Sequence, residues 1–133
     1  MMKNFTISLF LVTISAFALG QSETKQKASV QENTQQVGRV SKEQFKQMIE
    51  SYPDAQIVDV RTEEEFNRGS ISNAINIDYM GKDFESKIQE LKKNTPTLIY
   101  CHGGGRSAKA LQLFKKAGFT RTAELEGGYS NWD

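Results

Sequence analysis

Apolar positions along the chain change their period several times, and each change marks an element. From Phe5 to Leu19 they run almost unbroken (Phe5, Ile7, Leu9, Phe10, Leu11, Val12, Ile14, Phe17, Leu19), behind a single charge at Lys3. Ala18-Leu19-Gly20 fits the small-x-small pattern that precedes a cleavage point, so residues 1–20 read as an export leader cut before Gln21. The run is short for a membrane span and no stop-transfer cluster follows, so no stable membrane anchor is expected after cleavage. Residues 21–37 are rich in Gln, Ser, Thr, Lys and Glu without apolar periodicity, the pattern of a flexible polar linker.

From Gly38 the pattern becomes that of one folded domain, residues 38–133. Ser41-Lys42-Glu43-Gln44 has the form of a capping box, and Phe45, Met48 and Ile49 give the helix behind it one apolar face. Tyr52-Pro53-Asp54 ends that helix. Ala55 to Val60 reads as a buried strand. Thr62-Glu63-Glu64-Glu65 is a second capping box, opening a short helix that stops at Gly69. Ala74 to Ile77 is a short strand. Phe84, Ile88 and Leu91 stripe a helix ending in Lys92-Lys93, where positive charge suits its C-terminus. Thr97 to Tyr100 is a strand. Ala110, Leu111 and Phe114 stripe a helix that closes at Gly118. Thr122 to Leu125 is a last strand, before a turn over Gly127-Gly128-Tyr129-Ser130-Asn131-Trp132. Strands alternating with helices predict an α/β fold, a small and mostly parallel sheet flanked by helices on both faces. Ligands in such folds sit beyond the carboxyl ends of the strands.

Charge and cysteine content narrow the chemistry. The 133 residues hold 17 Lys and Arg against 16 Asp and Glu, and loss of the leader removes only Lys3. A mature chain of formal charge zero lacks the basic excess of a nucleic-acid binder, so no nucleic-acid partner is expected. Cys101 is the only cysteine, so no internal disulfide exists. In an oxidising compartment an idle exposed thiol is a liability, which argues that this one is used. Cys101 and His102, the only histidine, are too few for a zinc site. No nucleotide signature is present, and no cofactor is expected.

Cys101 stands at the carboxyl end of the strand Leu98-Ile99-Tyr100, before Gly103-Gly104-Gly105-Arg106-Ser107 and a helix. Glycines allow such a loop to turn its backbone N–H groups inward, and the helix N-terminus adds positive potential. A thiolate is stabilised there, and so is an anion bound to it. The loop is built for nucleophilic sulfur. The N–H groups of His102, Gly103, Gly104, Gly105 and Arg106 are the expected cradle. Ser107 is expected to cap the helix, with donation to the sulfur as its other reading, and Lys109 to face solvent rather than the mouth of the loop. Arg61 and Glu65 suit an ion pair holding the short helix to the sheet. Core packing is expected of Trp132.

Four ordered segments resemble the rhodanese-like sulfurtransferase family. They are Ile57-Val58-Asp59-Val60-Arg61-Thr62-x-x-Glu65-Phe66, Gly69-x-Ile71-x-x-Ala74-Ile75-Asn76-Ile77, Cys101-x-x-Gly104-x-Arg106-Ser107, and Leu125-Glu126-Gly127-Gly128-Tyr129-x-x-Trp132. The resemblance implies a small parallel α/β sheet with the active loop between a strand and a helix. It implies that Cys101 carries a persulfide sulfur, taken from a small-molecule donor such as thiosulfate and given to a thiophilic acceptor such as cyanide. It implies that Arg106 pairs with Asp59 to fix the loop, with Asp59 and Arg61 as supports, and that His102 tunes donor choice. The chain departs from the family's pattern at Glu63, Ser70 and Asn73, where Pro, His and Gly are common. Family members continue past the Trp, whereas this chain stops at Asp133, which predicts looser packing of its last segment.

Other readings stand beside this one. A module that delivers sulfur to a protein thiol would use the same loop. Phosphatases sharing this fold, and arsenate reduction, call for a longer loop of the form Cys-x5-Arg; here four residues separate Cys101 from Arg106. An inactive scaffold would not keep both residues. The leader places the protein outside the cytoplasm, in the periplasm for a Gram-negative source.

Overall fold

A computed structural model describes residues 38–133; the leader and linker read from the sequence lie outside the described residues. Five strands form one sheet: β1 (Arg39–Val40), β2 (Gln56–Asp59), β3 (Ile75–Asn76), β4 (Thr97–Tyr100) and β5 (Thr122–Leu125). All pairings are parallel, in the order β1-β5-β4-β2-β3. The helices are α1 (Lys42–Ser51), α2 (Glu63–Asn67), α3 (Phe84–Gln89) and α4 (Gly105–Lys116), and a 3-10 turn covers Tyr129–Asn131.

Both capping boxes form. Ser41 accepts from the Gln44 N–H while the Gln44 side chain accepts from Ser41 N–H, and Thr62 and Glu65 repeat the exchange. Four orphan donors at two helix starts are satisfied from the sequence alone. Two boundaries differ from the sequence reading. β1 is an additional strand of two residues, pairing with β5. α3 ends at Gln89, so Lys92 and Lys93 lie beyond it and Lys87 is the base in its last turn.

Alternation along the strands splits the core into two layers. Val58, Val60, Ile99 and Cys101 face α3 and α4, packing on Phe84, Ile88, Leu111 and Phe114. Ile57, Leu98, Tyr100, Ala123 and Leu125 face the other way, onto Phe45 of α1 and Ile71. Trp132 completes this second layer, edge-on to Phe45 with ring centroids 5.9 Å apart. The segment through Trp132 is therefore seated on this layer, not loosely packed as expected. Asn73 has φ 63°, the left-handed region where Asn is among the few side chains tolerated, which explains why it can stand where Gly is common. Glu63 opens α2, where its charge suits the helix N-terminus.

The chain runs from β2 outward to β3 on one side and from β4 to β5 on the other. The strand order thus reverses between β2 and β4, and a crevice forms beyond their carboxyl ends. Arg61, Thr62 and Glu65 follow β2 into that crevice, and the loop from Cys101 to Gly104 follows β4.

Candidate active site

Cys101 leaves β4 and is only 1% exposed. Its sulfur lies inside the turn that leads to α4. The Gly104 N–H donates to Cys101 Sγ across 3.1 Å, and the thiol donates to Ser107 Oγ across 3.5 Å. Gly104 sits at φ 98°, which needs glycine, and serves as the N-cap of α4 without a side chain. Ser107 is therefore not the cap expected from the sequence: it lies inside the first turn of α4, fully buried, between the thiol and Glu124.

The loop owes its shape to the C-terminal turn. The Tyr129 N–H donates to the Cys101 carbonyl at 2.7 Å, and the Ser130 N–H to the His102 carbonyl at 3.0 Å. In a trans peptide the C=O and the next N–H point oppositely. Anchoring these two carbonyls outward turns the N–H groups of His102 and Gly103 away from the turn. Burial pushes the Cys101 thiol up; hydrogen bonds from the backbone N–H groups of Ser107, Gly104 and Gly103 act against it. The net position is below the ordinary thiol value.

The ion pairs are not those expected. Arg106 binds Glu65, Nη1 to Oε2 at 2.7 Å and Nη2 to Oε1 at 2.8 Å. It makes no pair with Asp59, because Asp59 is taken by Arg61 at 2.6 Å (Nη2 to Oδ2) and 3.0 Å (Nε to Oδ1). Arg61 consequently does not pair with Glu65. Chain direction decides this: Asp59 ends β2, and an arginine two residues on folds straight back over it. Glu65 projects from α2 toward the start of α4. Its carboxyl is held down to about 2 by the Arg106 guanidinium, burial opposing, with help from the Thr62 N–H and hydroxyl.

Arg61 is 3% exposed. Its Nη2 donates to the Gly69 carbonyl at 2.6 Å, and its guanidinium carbon lies 4.3 Å from the Tyr129 ring centroid. With Glu65, Arg68, Gly69, His102 and Tyr129 it lines a cavity of about 300 Å³ beside the loop. His102 is exposed at the rim of that cavity, Gly103 and Gly105 are exposed on the loop, and Lys109 faces solvent as expected.

Two residues behind the thiol were not singled out from the sequence. Glu124 of β5 is 1% exposed, accepts from Ser107 Oγ at 2.8 Å and pairs with Arg39 of β1. The Arg39 Nη2 also donates to the Gly104 carbonyl at 3.3 Å. An acid inside the otherwise uncharged strand Thr122-Ala123-Glu124-Leu125 was the available signal.

A family model described as Rhodanese-like domain matches residues 41–133. A candidate sulfur carrier protein of Bacillus subtilis is 34% identical over 101 residues, covering 76% of this chain; the chain spans only 54% of that longer protein. The chloroplastic thiosulfate sulfurtransferase 16 of Arabidopsis thaliana is 36% identical over 85 residues, covering 56% of this chain and 71% of its own length. The crystal structure of a rhodanese-like domain protein from Staphylococcus aureus superposes with a TM-score of 0.64 at 31% identity, over 73% of this chain and 92% of that one. Sequence, topology and the loop at the strand reversal agree: the chain belongs to the rhodanese-like domain family.

Proposed function

We propose that the protein is an exported sulfurtransferase in which Cys101 carries a sulfane sulfur from a donor such as thiosulfate to a thiophilic acceptor. The single observation that supports this most is the Gly104 N–H aimed at Cys101 Sγ from 3.1 Å, inside a loop whose carbonyls are anchored outward. The Cys101 thiolate attacks the outer sulfur of thiosulfate. The S–S bond breaks, sulfite leaves with the bonding pair, and the enzyme holds Cys–S–S⁻. Cyanide or a thiolate then attacks that outer sulfur, and the Cys101 thiolate leaves. The loop N–H groups hold the negative charge in both states.

Phosphate chemistry is disfavoured by the same geometry. Both terminal nitrogens of Arg106 are committed to Glu65, so the arginine that would clamp a phosphate is neutralised. Cys101 acts as nucleophile, His102 to Ser107 form the loop, and Asp59 with Arg61 support its wall. The leader at 1–20 supports a site outside the cytoplasm, periplasmic in a Gram-negative source.

Intact mass after incubation with thiosulfate tests this. A gain of one sulfur, about 32 Da, is expected in the wild type and not in Cys101→Ser, with cyanide discharging it as thiocyanate. No gain while the thiol still alkylates would reject thiosulfate as donor, and transfer from a persulfide on a protein thiol would become the reading to test.

A further inference from the structure

Ser107 has one hydroxyl hydrogen and two polar neighbours that could receive it, the Cys101 sulfur and the Glu124 carboxylate. The distances decide between them. Glu124 Oε2 is 2.8 Å away and Cys101 Sγ 3.5 Å. A bond to a carboxylate is about twice as strong as one between neutral groups, and the buried carboxylate has few other donors. Arg39 pairs with its other oxygen, Oε1. The Ser107 hydrogen therefore points at Glu124, and the face of Oγ left toward sulfur is a lone pair.

We propose that Glu124 is a positioning residue that controls the reactivity of the Cys101 thiol by claiming the only hydroxyl hydrogen of Ser107. The proposal rests on Cys101 being the reacting group. With its hydrogen held by Glu124, Ser107 accepts the S–H of the resting thiol and gives nothing to a thiolate. Accepting from the neutral form and placing a negative charge behind it both disfavour ionisation. The loop amides pull the other way. Glu124 thus sets the balance point of the thiol above where the loop alone would leave it, and so slows adventitious oxidation of an unloaded sulfur.

The charges around this chain of bonds are few. Arg39 reaches Glu124 from β1, Cys101 lies beyond the end of β4, and Glu126, just past β5, acts on Arg39. Arg106 acts on Cys101 from α4. Among the described residues, Glu124 is the charged group hydrogen-bonded to Ser107. Glu124→Gln keeps the shape and removes the charge, and its amide can donate to Ser107 Oγ, freeing the hydroxyl to turn toward sulfur.

The test is the pH dependence of iodoacetamide alkylation, read by intact mass, in the wild type, Glu124→Gln, Ser107→Ala and the double variant. Glu124→Gln is expected to lower the alkylation midpoint by about one unit, which is roughly tenfold more thiolate at a pH below both midpoints. On the Ser107→Ala background the same change is expected to shift it much less. An unchanged or raised midpoint in Glu124→Gln overturns the proposal, and so does an equal shift on both backgrounds. Should Glu124→Gln fail to fold, infrared spectroscopy of the wild type decides: a thiol donating to Ser107 shows a lowered S–H stretch that Ser107→Ala relieves, and an unperturbed band overturns the idea. Alkylation needs no sulfur donor. Thiosulfate loading on the same samples therefore reports separately on the sulfurtransferase reading.

Discussion

Gly128 shows how little space the active loop has. A Cβ there would meet the Cys101 and His102 carbonyl oxygens, each at 2.5 Å, and φ is +62°. Left-handed backbone alone costs an alanine about 1–2 kcal/mol. The clash falls on the two carbonyls that Tyr129 and Ser130 anchor. Gly128→Ala is expected to part the C-terminal turn from the loop, lower the melting temperature and cut sulfur loading at least about tenfold, the effect of losing ~1.4 kcal/mol of preorganisation. Gly103→Ala is the control: nothing lies within 4 Å of a Cβ there, so loading measured by intact mass should hold. Loss in both, or in neither, contradicts this account. From the sequence the three loop glycines were equivalent. In the fold only Gly104, at φ 98°, needs to be glycine for its own conformation, while Gly128 is demanded by the loop it touches.

The elements were legible where local chemistry writes them. Two capping boxes fixed the starts of α1 and α2, and an unbroken run of β-prone residues fixed β4. β1 escaped because two residues carry no periodicity. The ion pairs escaped for another reason. Which of Asp59 and Glu65 meets Arg106 depends on where α2 and α4 come to rest, and Glu65 lies 41 positions before its arginine. That pair joins the helix after β2 to the helix after β4, so it ties the two sides of the crevice. Its pH dependence has a definite sign. The Glu65 carboxyl sits at about 2 folded against 4.5 ordinarily. A carboxyl lowered by folding stabilises the fold fully above its ordinary value, and that contribution fades as pH falls toward the folded one. Glu65→Gln should therefore lower the melting temperature at neutral pH, by a net ~1–2 kcal/mol for a partly exposed charge-assisted pair. The gap between wild type and variant should close between pH 4.5 and about 2. Melting curves across that range check it, and a gap that stays constant would remove the ion pair as its cause.

At the scale of the whole molecule, stability and chemistry are held by different forces. The sheet separates two apolar layers, one built on Phe84, Ile88 and Phe114 and the other on Phe45, Ile57 and Leu98. The thiol belongs to the first layer by burial, yet its geometry is set by backbone hydrogen bonds from the C-terminal turn and by Gly104. Trimming a methyl group on either face should weaken the fold without disturbing the loop. Ile88→Val and Ile57→Val are each expected to cost about 1 kcal/mol. Because they lie on opposite faces and in separate clusters, the costs should add to within ~0.5 kcal/mol in the double variant. Urea titration should show a single transition with an unchanged slope and a lower midpoint. Sulfur loading, measured on the folded variants, should match the wild type. A loading defect in Ile88→Val alone would mean that packing under α4 positions the sulfur, and that the loop is not self-sufficient. A defect in Ile57→Val would place the weakness across the sheet, in the layer where Trp132 and Tyr129 close the C-terminal turn onto Cys101.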